Sequence, residues 1–441
     1  MRALISMCIG FVMACSMAAV PAATPQTARI LPVERVWSGH PVNFGITYGH
    51  QTYFLAYYDA ERRVTVASLP AAGSEFVHQK LDSVTGWDSH NYIAIAVDGA
   101  GHLHVIGNMH NDPLVYFRST RAGDVRSLER VPVLVDAKRE SRMTYPVFIR
   151  RFDGSLALKY RDGGSGNGNE IYVLYDTATR SWQPLLDTPM VDGEGQRNAY
   201  FVGPTIGPDG HFHLAWVWRD TPDAETNHDL SYARSRDLVN WQKSDGTPLE
   251  LPVTIGSAEI VDAVPVRGGM INNNTVTGFD LEGRPVITYH KFDAGGNTQI
   301  FLARRETRGW RSVQITKWRD FRWEFSGRGS LDSRLMVSGA RPAAPGRIAV
   351  EVVRDGKLLV FELRSRDLRV LRESPGKTIA EELAPKVDVP AGMTLNTVTD
   401  AGTGASLAWP TLPRNRDQPR GEIPAATQLS LVIPPDQETS H

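Results

Sequence analysis

The chain has 441 residues, of which 48 are Lys or Arg and 49 are Asp or Glu, so its formal net charge is −1. This balance supplies no overall basic field for nucleic acid or an anionic membrane, and the 41% hydrophobic and 22% charged content is that of a packed protein rather than a disordered one. The two cysteines, Cys8 and Cys15, lie near the N-terminus, which excludes a disulfide scaffold or a cysteine-ligated zinc site in the body of the chain.

The N-terminal segment has the layout of a secretory signal. One positive charge precedes the apolar stretch Ala3–Ala14, and small residues follow as far as Ala23. The stretch is too short to cross a membrane as a stable helix, so we predict a signal peptide at residues 1–23 and a secreted or periplasmic protein. A lipoprotein anchor at Cys15 is a less favoured alternative, because Met13 is unusual in a lipobox.

One unit recurs along the rest of the chain. Each copy has a glycine turn, an apolar run, a polar loop and a second run rich in Val, Ile and aromatic residues, a composition that strands favour. The copies span residues 49–69, 101–120, 154–182, 210–241, 283–310 and 346–363. Their starts lie roughly 50 to 70 residues apart, a spacing typical of propeller blades.

We therefore predict an all-β fold, a seven-bladed β-propeller with few helices and an irregular C-terminal tail. The seventh blade would come from the chain termini or from residues 320–340. We expect the propeller to occupy residues 24–375 and the Pro-rich segment 376–441 to pack on it or close it, contributing at most one strand. A pair of unrelated β-sandwiches is the alternative, which the repeat disfavours.

Polar residues follow the first apolar run in four of the copies, a position that we expect at one end of an innermost strand. Their equivalence would gather them around one face of the channel. Histidine and tyrosine beside fixed cations suit acid–base chemistry on an anionic substrate. These residues are Asn108, His110, Asn111 and Asp112, then Tyr160, Arg161 and Asp162, then Trp218, Arg219 and Asp220, and finally Tyr289, His290 and Lys291.

Two histidines stand out as candidates for catalysis. His90 and His110 are 20 residues apart, a spacing that allows them to meet through adjacent strands of one blade. An imidazole takes and returns a proton near neutral pH, so the pair suits elimination or hydrolysis. The alternative is that His90 is a buried hydrogen-bonding residue and His110 a turn residue.

Other side chains are candidates for contacts with a sugar polymer or a metal. Arg161 and Arg219 could hold a carboxylate through paired hydrogen bonds, or could form salt bridges with neighbouring aspartates. Asn273 could bind sugar hydroxyls or only turn the chain, and Trp218 could stack on a sugar ring. A further group of histidines alternates within strands, where metal binding is open but packing without metal is more common: His102, His104, His211 and His213.

Two stretches around the histidines, Gly86–Asn91 and Gly107–Leu114, resemble the BNR-repeat seven-bladed propeller enzymes that act on uronate polysaccharides. This group includes ulvan lyases, L-rhamnose-α-1,4-D-glucuronate lyases and related α-L-rhamnosidases. Two segments nearer the start, Val36–Val42 and Tyr57–Arg63, look closest to the rhamnose–glucuronate branch. The resemblance covers about residues 33–365 and is most specific around the two histidines.

The resemblance implies a secreted polysaccharide lyase that cleaves a rhamnose–glucuronate linkage by β-elimination and leaves an unsaturated uronate. Either histidine could be the base, and the other histidine or Tyr160 the acid. Arginine and Asn111 would neutralise the uronate carboxylate. The catalytic candidates are His90, His110, Tyr160 and Arg219, and the substrate-binding candidates are Asn111, Arg161, Trp218, Asn273, His290 and Lys291.

Two other functions remain open: an α-L-rhamnosidase that uses His40, and a non-catalytic carbohydrate-binding propeller. Gly39 stands where such a hydrolase would carry a polar partner for the histidine, which weakens that interpretation. No redox or organic cofactor is implied, and a structural Ca²⁺ or Zn²⁺ ion remains open. The expected partner is an anionic polysaccharide or oligosaccharide, not nucleic acid or an integral membrane, and we expect a monomer.

Overall fold

The computed structural model describes residues 28–435. The predicted signal peptide, residues 1–23, and Cys15 lie outside the described residues. Within them, 31 strands make up almost all of the regular structure. The helical elements are one α-helix, α1 (Ile379–Leu383), and four 3-10 turns at Val125–Ser127, Arg139–Arg142, Ala224–Thr226 and Ala384–Lys386. None of the helices in this part of the chain is long and apolar enough to span a membrane.

The strands of the first half of the chain are β1 (Arg29–Val36), β2 (Gly45–Gly49), β3 (Thr52–Tyr58), β4 (Arg63–Pro70), β5 (Val77–Val84), β6 (Ile93–Val97), β7 (Leu103–Gly107), β8 (His110–Asp112), β9 (Tyr116–Ser119), β10 (Leu128–Arg130), β11 (Met143–Arg150), β12 (Leu156–Gly164), β13 (Asn167–Asp176), β14 (Ser181–Pro184), β15 (Asn198–Ile206) and β16 (Phe212–Arg219). The remaining strands are β17 (Asn227–Ser235), β18 (Trp241–Gln242), β19 (Glu259–Asp262), β20 (Val276–Phe279), β21 (Pro285–Phe292), β22 (Thr298–Glu306), β23 (Gly309–Gln314), β24 (Leu335–Val337), β25 (Arg341–Ala344), β26 (Arg347–Arg354), β27 (Lys357–Arg364), β28 (Arg369–Pro375), β29 (Thr394–Thr399), β30 (Ser406–Thr411) and β31 (Thr427–Ile433).

These strands form seven antiparallel sheets. Their orders are β2-β3-β4-β5, β6-β7-β9-β10, β8-β11-β12-β13-β14, β15-β16-β17-β18 with β19 on β17, β20-β21-β22-β23, β24-β26-β27-β28 with β25 on β26, and β29-β30-β31-β1. Contacts between sheets join β2 to β6, β6 to β11, β15 to β20, β20 to β25 and β29 to β2, so these strands lie innermost. The prediction of an all-β fold is confirmed, and the seven sheets agree in number with the predicted blades.

Strand β16 shows why the apolar runs are continuous rather than alternating. All eight of its residues are buried. Trp216 packs in one hydrophobic cluster with Tyr172 of the preceding sheet, whereas Val217 packs in another with Tyr289 of the following sheet. Because successive residues of a strand point to opposite faces, a strand covered by a sheet on each side is apolar over most of its length, and its buried polar residues, here His213 and Arg219, need partners.

The C-terminal segment builds more of the fold than the sequence predicts. It supplies the three strands β29, β30 and β31, and β31 pairs with β1 from Arg29↔Ile433 to Val36↔Thr427. The Pro-rich composition of this segment predicts instead an extended tail with at most one closing strand. The strand signal is hidden because the strands are short, long Pro- and Gly-containing connections separate them, and Pro410 lies inside one of them.

The sheet formed by β29, β30, β31 and β1 is called the closing sheet below, and Trp409 in β30 is expected to hold it against the sheet that begins with β2. Its side chain is buried, and its ring stacks on Phe44 with the centroids 4.3 Å apart. Trp409→Ala should lower the free energy of unfolding by about 3–5 kcal/mol, because it removes a buried aromatic side chain and leaves a cavity. Denaturant unfolding measures this, with Ile423→Ala, at a 67% exposed position, as the control expected to change by no more than about 0.5 kcal/mol. Equal stability of W409A and wild type would contradict the assignment.

Candidate active site

The polar residues found through the repeat lie at the ends of β12, β16 and β21, each of which pairs with the innermost strand of its sheet, and directly after β7. After β7, residues 110–112 form β8, which pairs with β11 of the next sheet. The prediction that these residues lie at the ends of the innermost strands is wrong, because the strands that carry them are the neighbours of the innermost strands. The reason is that the glycine turn that begins each copy follows the innermost strand instead of preceding it. The innermost strands β11 and β15 bring two further side chains to the same end, Tyr145 and Tyr200.

His90 and His110 share the carboxylate of Asp88. The Nδ1 atom of His90 lies 2.6 Å from Asp88 Oδ1, and the Nδ1 atom of His110 lies 2.6 Å from Oδ2. Because an ionised carboxylate only accepts hydrogen bonds, both Nδ1 atoms carry a hydrogen. Burial acts to raise the pKa of Asp88, but the hydrogen bonds from the two histidines outweigh it and hold that pKa well below its usual range. An ionised carboxylate therefore orients both imidazoles.

The two imidazole rings stack on each other and keep their second nitrogens free. Their centroids are 4.3 Å apart, and the side chains of His90 and His110 are 25% and 24% exposed. Neither Nε2 atom has a hydrogen-bond partner among residues 28–435. With Nδ1 fixed by Asp88, each Nε2 offers a lone pair toward solvent and can accept a proton.

The loop that carries His90 rests on a buried aromatic layer. Trp87, next to Asp88, packs against Trp37 with the ring centroids 5.0 Å apart and against His40 at 5.9 Å. His40 is 2% exposed, accepts a hydrogen bond from Trp37 Nε1 at 3.2 Å, and has its pKa lowered by burial. His40 therefore supports the loop from beneath, and its Nε2 is buried without a hydrogen-bond partner in the described residues.

Tyr145 lies between the histidine pair and an arginine. Its ring centroid is 6.2 Å from that of His90 and 5.9 Å from that of His110, and Arg161 Cζ lies 4.8 Å from it on the ring face. The backbone φ of Tyr145 is 55°, at a bulge in the pairing of β11 with β12. This left-handed conformation is rare for an aromatic residue, and such strain is concentrated at functional sites. Burial raises the pKa of Tyr145, so the hydroxyl keeps its proton at neutral pH.

Two buried arginines flank Tyr200. The Cζ atoms of Arg161 and Arg219 lie 5.6 and 5.3 Å from the centroid of the Tyr200 ring. Arg219 donates to the backbone carbonyl oxygens of residues 221–223, which fix it in place. Burial acts to raise the pKa of Tyr200, but the two guanidinium charges outweigh it and lower that pKa. This corner of the site is therefore strongly electropositive.

Arg161 has hydrogen-bonding capacity that the protein does not use. Its Nε donates to the carbonyl of Gly163 at 3.0 Å, whereas Nη1 and Nη2 are buried and make no hydrogen bond of good geometry in the described part of the chain. The hydroxyl of Tyr200, whose pKa Arg161 lowers, interacts with this side chain, and no carboxylate among residues 28–435 does. Leaving charged donors buried without an acceptor is costly, so the arrangement points to an anionic ligand. Two adjacent guanidinium nitrogens match the two oxygens of a carboxylate. Arg161 is thus the best candidate for binding a carboxylate beside Tyr145.

Tyr160, predicted as a catalytic residue, lies elsewhere. It is 1% exposed and packs in a hydrophobic cluster with Met109 and Met143. Because neighbouring residues of β12 point to opposite faces, the strand that brings Arg161 to the site turns Tyr160 away from it. The tyrosines beside the histidines and arginines are Tyr145 and Tyr200. Both lie in strands that precede the glycine turn of a repeat copy, so the repeat pattern does not point to them.

Two predicted substrate-binding residues are core residues. Trp218 is fully buried, and its Nε1 donates to Ser231 Oγ at 3.0 Å. His290 is also fully buried, with its ring centroid 5.3 Å from that of Trp323, and burial lowers its pKa to about 4. Neither side chain can contact a sugar, because sheets cover both faces of the second strands that carry them.

The other predicted contact residues lie nearer the surface. Asn111 and Asn273 are exposed, and both adopt positive φ, 64° and 67°. Lys291 Nζ is bonded to Asp262 at 2.5 Å, so its charge is already paired. The two asparagines are therefore available to hydrogen-bond a ligand, whereas Lys291 is committed to an ion pair.

Of the four histidines predicted to alternate within strands, His104 and His213 lie in strands and make structural hydrogen bonds, whereas His102 and His211 directly precede those strands. His104 is bonded to the hydroxyl of Tyr116 at 2.6 Å and lies 3.4 Å from the turn carboxylate of Asp98. His213 has the equivalent pair, a tyrosine hydroxyl at 2.5 Å and Asp209 at 2.9 Å. Among residues 28–435, the one group of three side chains with metal-ligand spacing is instead Asp88, His90 and His110, whose ligand atoms lie within 4.8 Å of one another. Acid–base chemistry and metal binding would compete for these same atoms.

Comparison with known proteins gives a family match and distant relatives. Residues 52–318 match the model of a BNR repeat-containing family. The short isoform of ulvan lyase from Alteromonas sp. (strain LOR) is 28% identical over 177 residues, which cover 37% of this chain and 33% of that protein. A long isoform from Pseudoalteromonas sp. (strain PLSV) is 26% identical over 146 residues, 31% of this chain and 14% of that protein. The matched segment thus spans about a third or less of these relatives.

The fold is similar to that of solved polysaccharide lyases. One crystal structure of a polysaccharide lyase matches with a TM-score of 0.66 at 13% identity, over 93% of this chain and 100% of that chain. A PL25 ulvan lyase bound to -[GlcA(1-4)Rha3S]- matches with a TM-score of 0.60 at 15% identity, over 92% and 96% of the two chains. At these identities the similarity is one of fold.

Proposed function

The chain belongs to the BNR repeat-containing family, and from this membership together with the geometry of the site we propose that it is a polysaccharide lyase. It cleaves a rhamnose–glucuronate linkage by β-elimination and leaves an unsaturated uronate on one product. We further propose that it acts outside the cytoplasm, on the strength of the signal-like pattern at residues 1–23.

The observation that carries this proposal is the buried, unpartnered Nη pair of Arg161 beside Tyr145 and the stacked histidines. Elimination from a uronate needs three things: charge neutralisation at the carboxylate, removal of the C5 proton, and protonation of the departing oxygen at C4. The site has a chemical group suited to each of these tasks. A site that only bound sugars would have no need of the second and third.

Arg161 and Arg219, together with Tyr200, neutralise the charge of the uronate carboxylate. The carboxylate of the uronate accepts paired hydrogen bonds from Arg161, and Arg219 and Tyr200 add positive potential and hydrogen-bonding capacity behind it. Withdrawing negative charge from the carboxylate makes the C5 proton more acidic and stabilises the charge that develops when that proton leaves. This role accounts for the two buried cations at one end of the fold.

The histidines and Tyr145 move the protons. The Nε2 atom of one histidine takes the C5 proton, since Asp88 holds the hydrogen of each ring on Nδ1. Tyr145 keeps its hydroxyl proton and gives it to the C4 oxygen as the C4–O bond breaks and the C4=C5 double bond forms. Proton exchange with solvent then restores the histidine and the tyrosine.

The substrate class is supported by the relatives. The curated relatives are ulvan lyases, and one structure of similar fold carries a bound glucuronate–rhamnose 3-sulfate saccharide. The exposed Asn111 and Asn273 suit contacts with sugar hydroxyls at the edge of such a site. The rhamnosidase alternative loses support because His40 is buried under the Trp87 loop.

A panel of uronate polysaccharides tests the proposal. A lyase creates a conjugated uronate that absorbs in the ultraviolet, so absorbance should rise with time on polymers that contain rhamnose–glucuronate linkages. Polymers without uronate are the control and should give no signal. Binding to these polymers without any rise in absorbance would favour the non-catalytic propeller and contradict the lyase.

Two tyrosine substitutions test whether Tyr145 or Tyr160 is the catalytic tyrosine. Tyr145→Phe should lower kcat by about 10²–10⁴-fold, because it removes the proton donor for the departing oxygen. Tyr160→Phe should leave kcat unchanged, since that hydroxyl lies in a hydrophobic cluster. Steady-state kinetics on the best polymer of the panel measures both. A loss in Y160F with full activity in Y145F would reverse the assignment.

A further inference from the structure

The connection between β30 and β31, residues 412–426, lies at the same end of the molecule as the histidine pair. It leaves its own sheet with the amide of Leu412 donating to the carbonyl of Ser38 at 2.8 Å, and the Ser38 hydroxyl donates to Ala425 O at 2.8 Å. Farther along, Arg414 donates to the carbonyl of Leu331 at 3.1 Å. The connection therefore bridges from the closing sheet to the loop before β24.

Asp417, in this connection, joins the loops around the histidines. Its Oδ1 accepts hydrogen bonds from the amide and the hydroxyl of Ser89 at 3.0 and 2.8 Å. Its Oδ2 accepts one from the amide of Ser330 at 2.6 Å and lies 3.5 Å from His90 Nδ1. The side chain is 12% exposed, and its backbone φ of 61° is one that aspartate adopts at some cost. Both oxygens of one buried carboxylate are thus engaged.

These contacts add a second tie to the loop that carries His90. Asp88 lies on that loop, and its bond to His110 joins the loop to β8. Asp417 binds Ser89, between Asp88 and His90, from a different part of the fold. The groups facing His90 are Asp88, His110 and Tyr145 from the neighbouring strands and loops, and Asp417 from the C-terminal segment.

We infer that Asp417 is a positioning residue: it anchors the Ser89–His90 loop to the C-terminal segment and so keeps His90 Nε2 aimed at the substrate. This inference rests on the proposed function, because it assigns the purpose of the anchor to proton transfer. It makes the C-terminal segment a part of the active site as well as the closing sheet. Asp417 itself does not contact the reacting atoms.

The test compares Asp417→Asn with Asp400→Asn. The asparagine amide nitrogen cannot accept a hydrogen bond, so D417N breaks the anchor either to Ser89 or to Ser330. Asp400 is a matched control, since its Oδ1 also accepts from an amide and a hydroxyl, those of Thr403, in the turn at the other end of β30. We expect D417N to lower kcat by about 10–100-fold with little change in KM, and D400N to keep both.

Hydrogen–deuterium exchange gives a readout that needs no substrate. Exchange in the peptide spanning residues 86–92 or in the peptide that contains Ser330 should be faster in D417N than in wild type, because one of the two amides loses its acceptor, and exchange in both peptides should be unchanged in D400N. If wild type turns over no polymer, the proposed function fails while this measurement still decides the anchor. Faster exchange in D417N together with a wild-type kcat would show that Asp417 anchors the loop but that the anchor does not position His90 for catalysis, and this would overturn the inference.

A second variant covers the case in which D417N does not fold. Ser89→Ala removes only the hydroxyl bond to Asp417 and keeps the amide bond, so we expect a several-fold loss of kcat with the melting temperature retained. Wild-type kcat in S89A, or an equal loss in D400N and D417N, would overturn the inference.

Discussion

Arg161→Ala is expected to lower kcat/KM by about 10³-fold, because the uronate carboxylate loses the paired donors that neutralise it and the C5 proton becomes less acidic. The same change should leave the melting temperature close to that of wild type. Removing the buried guanidinium relieves an unneutralised charge, and this gain offsets the loss of the Nε bond to Gly163 and of the packing on Tyr145 and Tyr200. A large loss of activity without a loss of stability is expected of a residue that is kept for binding a ligand and not for folding.

Two further arginine variants complete the test. Arg161→Lys keeps the charge but loses the paired geometry, so it should fall between wild type and R161A. Arg121→Ala removes an exposed arginine that pairs with Asp124, and it should not change kcat/KM. Activity of R161A close to wild type, or a large fall in its melting temperature, would contradict the assignment of a carboxylate-binding role.

Asp88→Asn is expected to lower kcat by about 10²–10⁴-fold, since one carboxylate fixes the orientation and the tautomer of both histidines. His90→Ala and His110→Ala test the pair individually, and the larger loss identifies the base. Asp82→Asn is the control, because Asp82 is 96% exposed and pairs only loosely with Arg63 at 3.8 Å. Unchanged kcat in D88N would contradict the proposed proton transfer.

The stability of D88N should depend on pH in a defined direction. Folding lowers the pKa of Asp88, so the carboxylate contributes stability at pH values above the ordinary aspartate range, and this contribution is lost as the pH falls toward the lower folded value. D88N should therefore be less stable than wild type at neutral pH, and the difference should shrink in acid. Thermal unfolding across the pH range measures it, and a difference that grows in acid would contradict the assignment.

A chelator distinguishes acid–base chemistry from metal binding at Asp88, His90 and His110. If the histidines move protons directly, treatment with a chelator should leave kcat unchanged. Loss of activity that Zn²⁺ restores would show that these three side chains hold a metal, and the roles given to the Nε2 atoms would be wrong.

The sequence alone predicts much of the fold because the repeat is local. A glycine turn followed by β-rich runs is visible in each copy, and six copies correspond to six of the seven sheets. The histidine pair is also predicted, since His90 and His110 lie in neighbouring segments of the chain. The closing sheet is missed because its strands join the two ends of the chain, and no pattern within either end reveals that pairing.

The rest of the site depends on distant contacts and on strand orientation. Tyr160 and Arg161 are neighbours in sequence, but they point to opposite faces of β12, and a repeat position known only to within a residue cannot separate them. Tyr145 reaches the site through a bulge with positive φ, which the sequence does not announce. Asp417 is 328 residues from Ser89, and only the folded chain brings them together.

Under the proposed function the chain breaks its substrate by elimination at this site. Mass spectrometry of the products made in water labelled with heavy oxygen tests it most directly, with a rhamnose–glucuronate oligosaccharide as substrate. We expect one product to end in an unsaturated uronate, lighter by one water than its saturated counterpart. When the products are reduced at once, before the new reducing end exchanges its oxygen with water, neither should carry label at the broken linkage. A saturated glucuronate terminus, with heavy oxygen incorporated at the cleaved bond, would show hydrolysis and contradict the account.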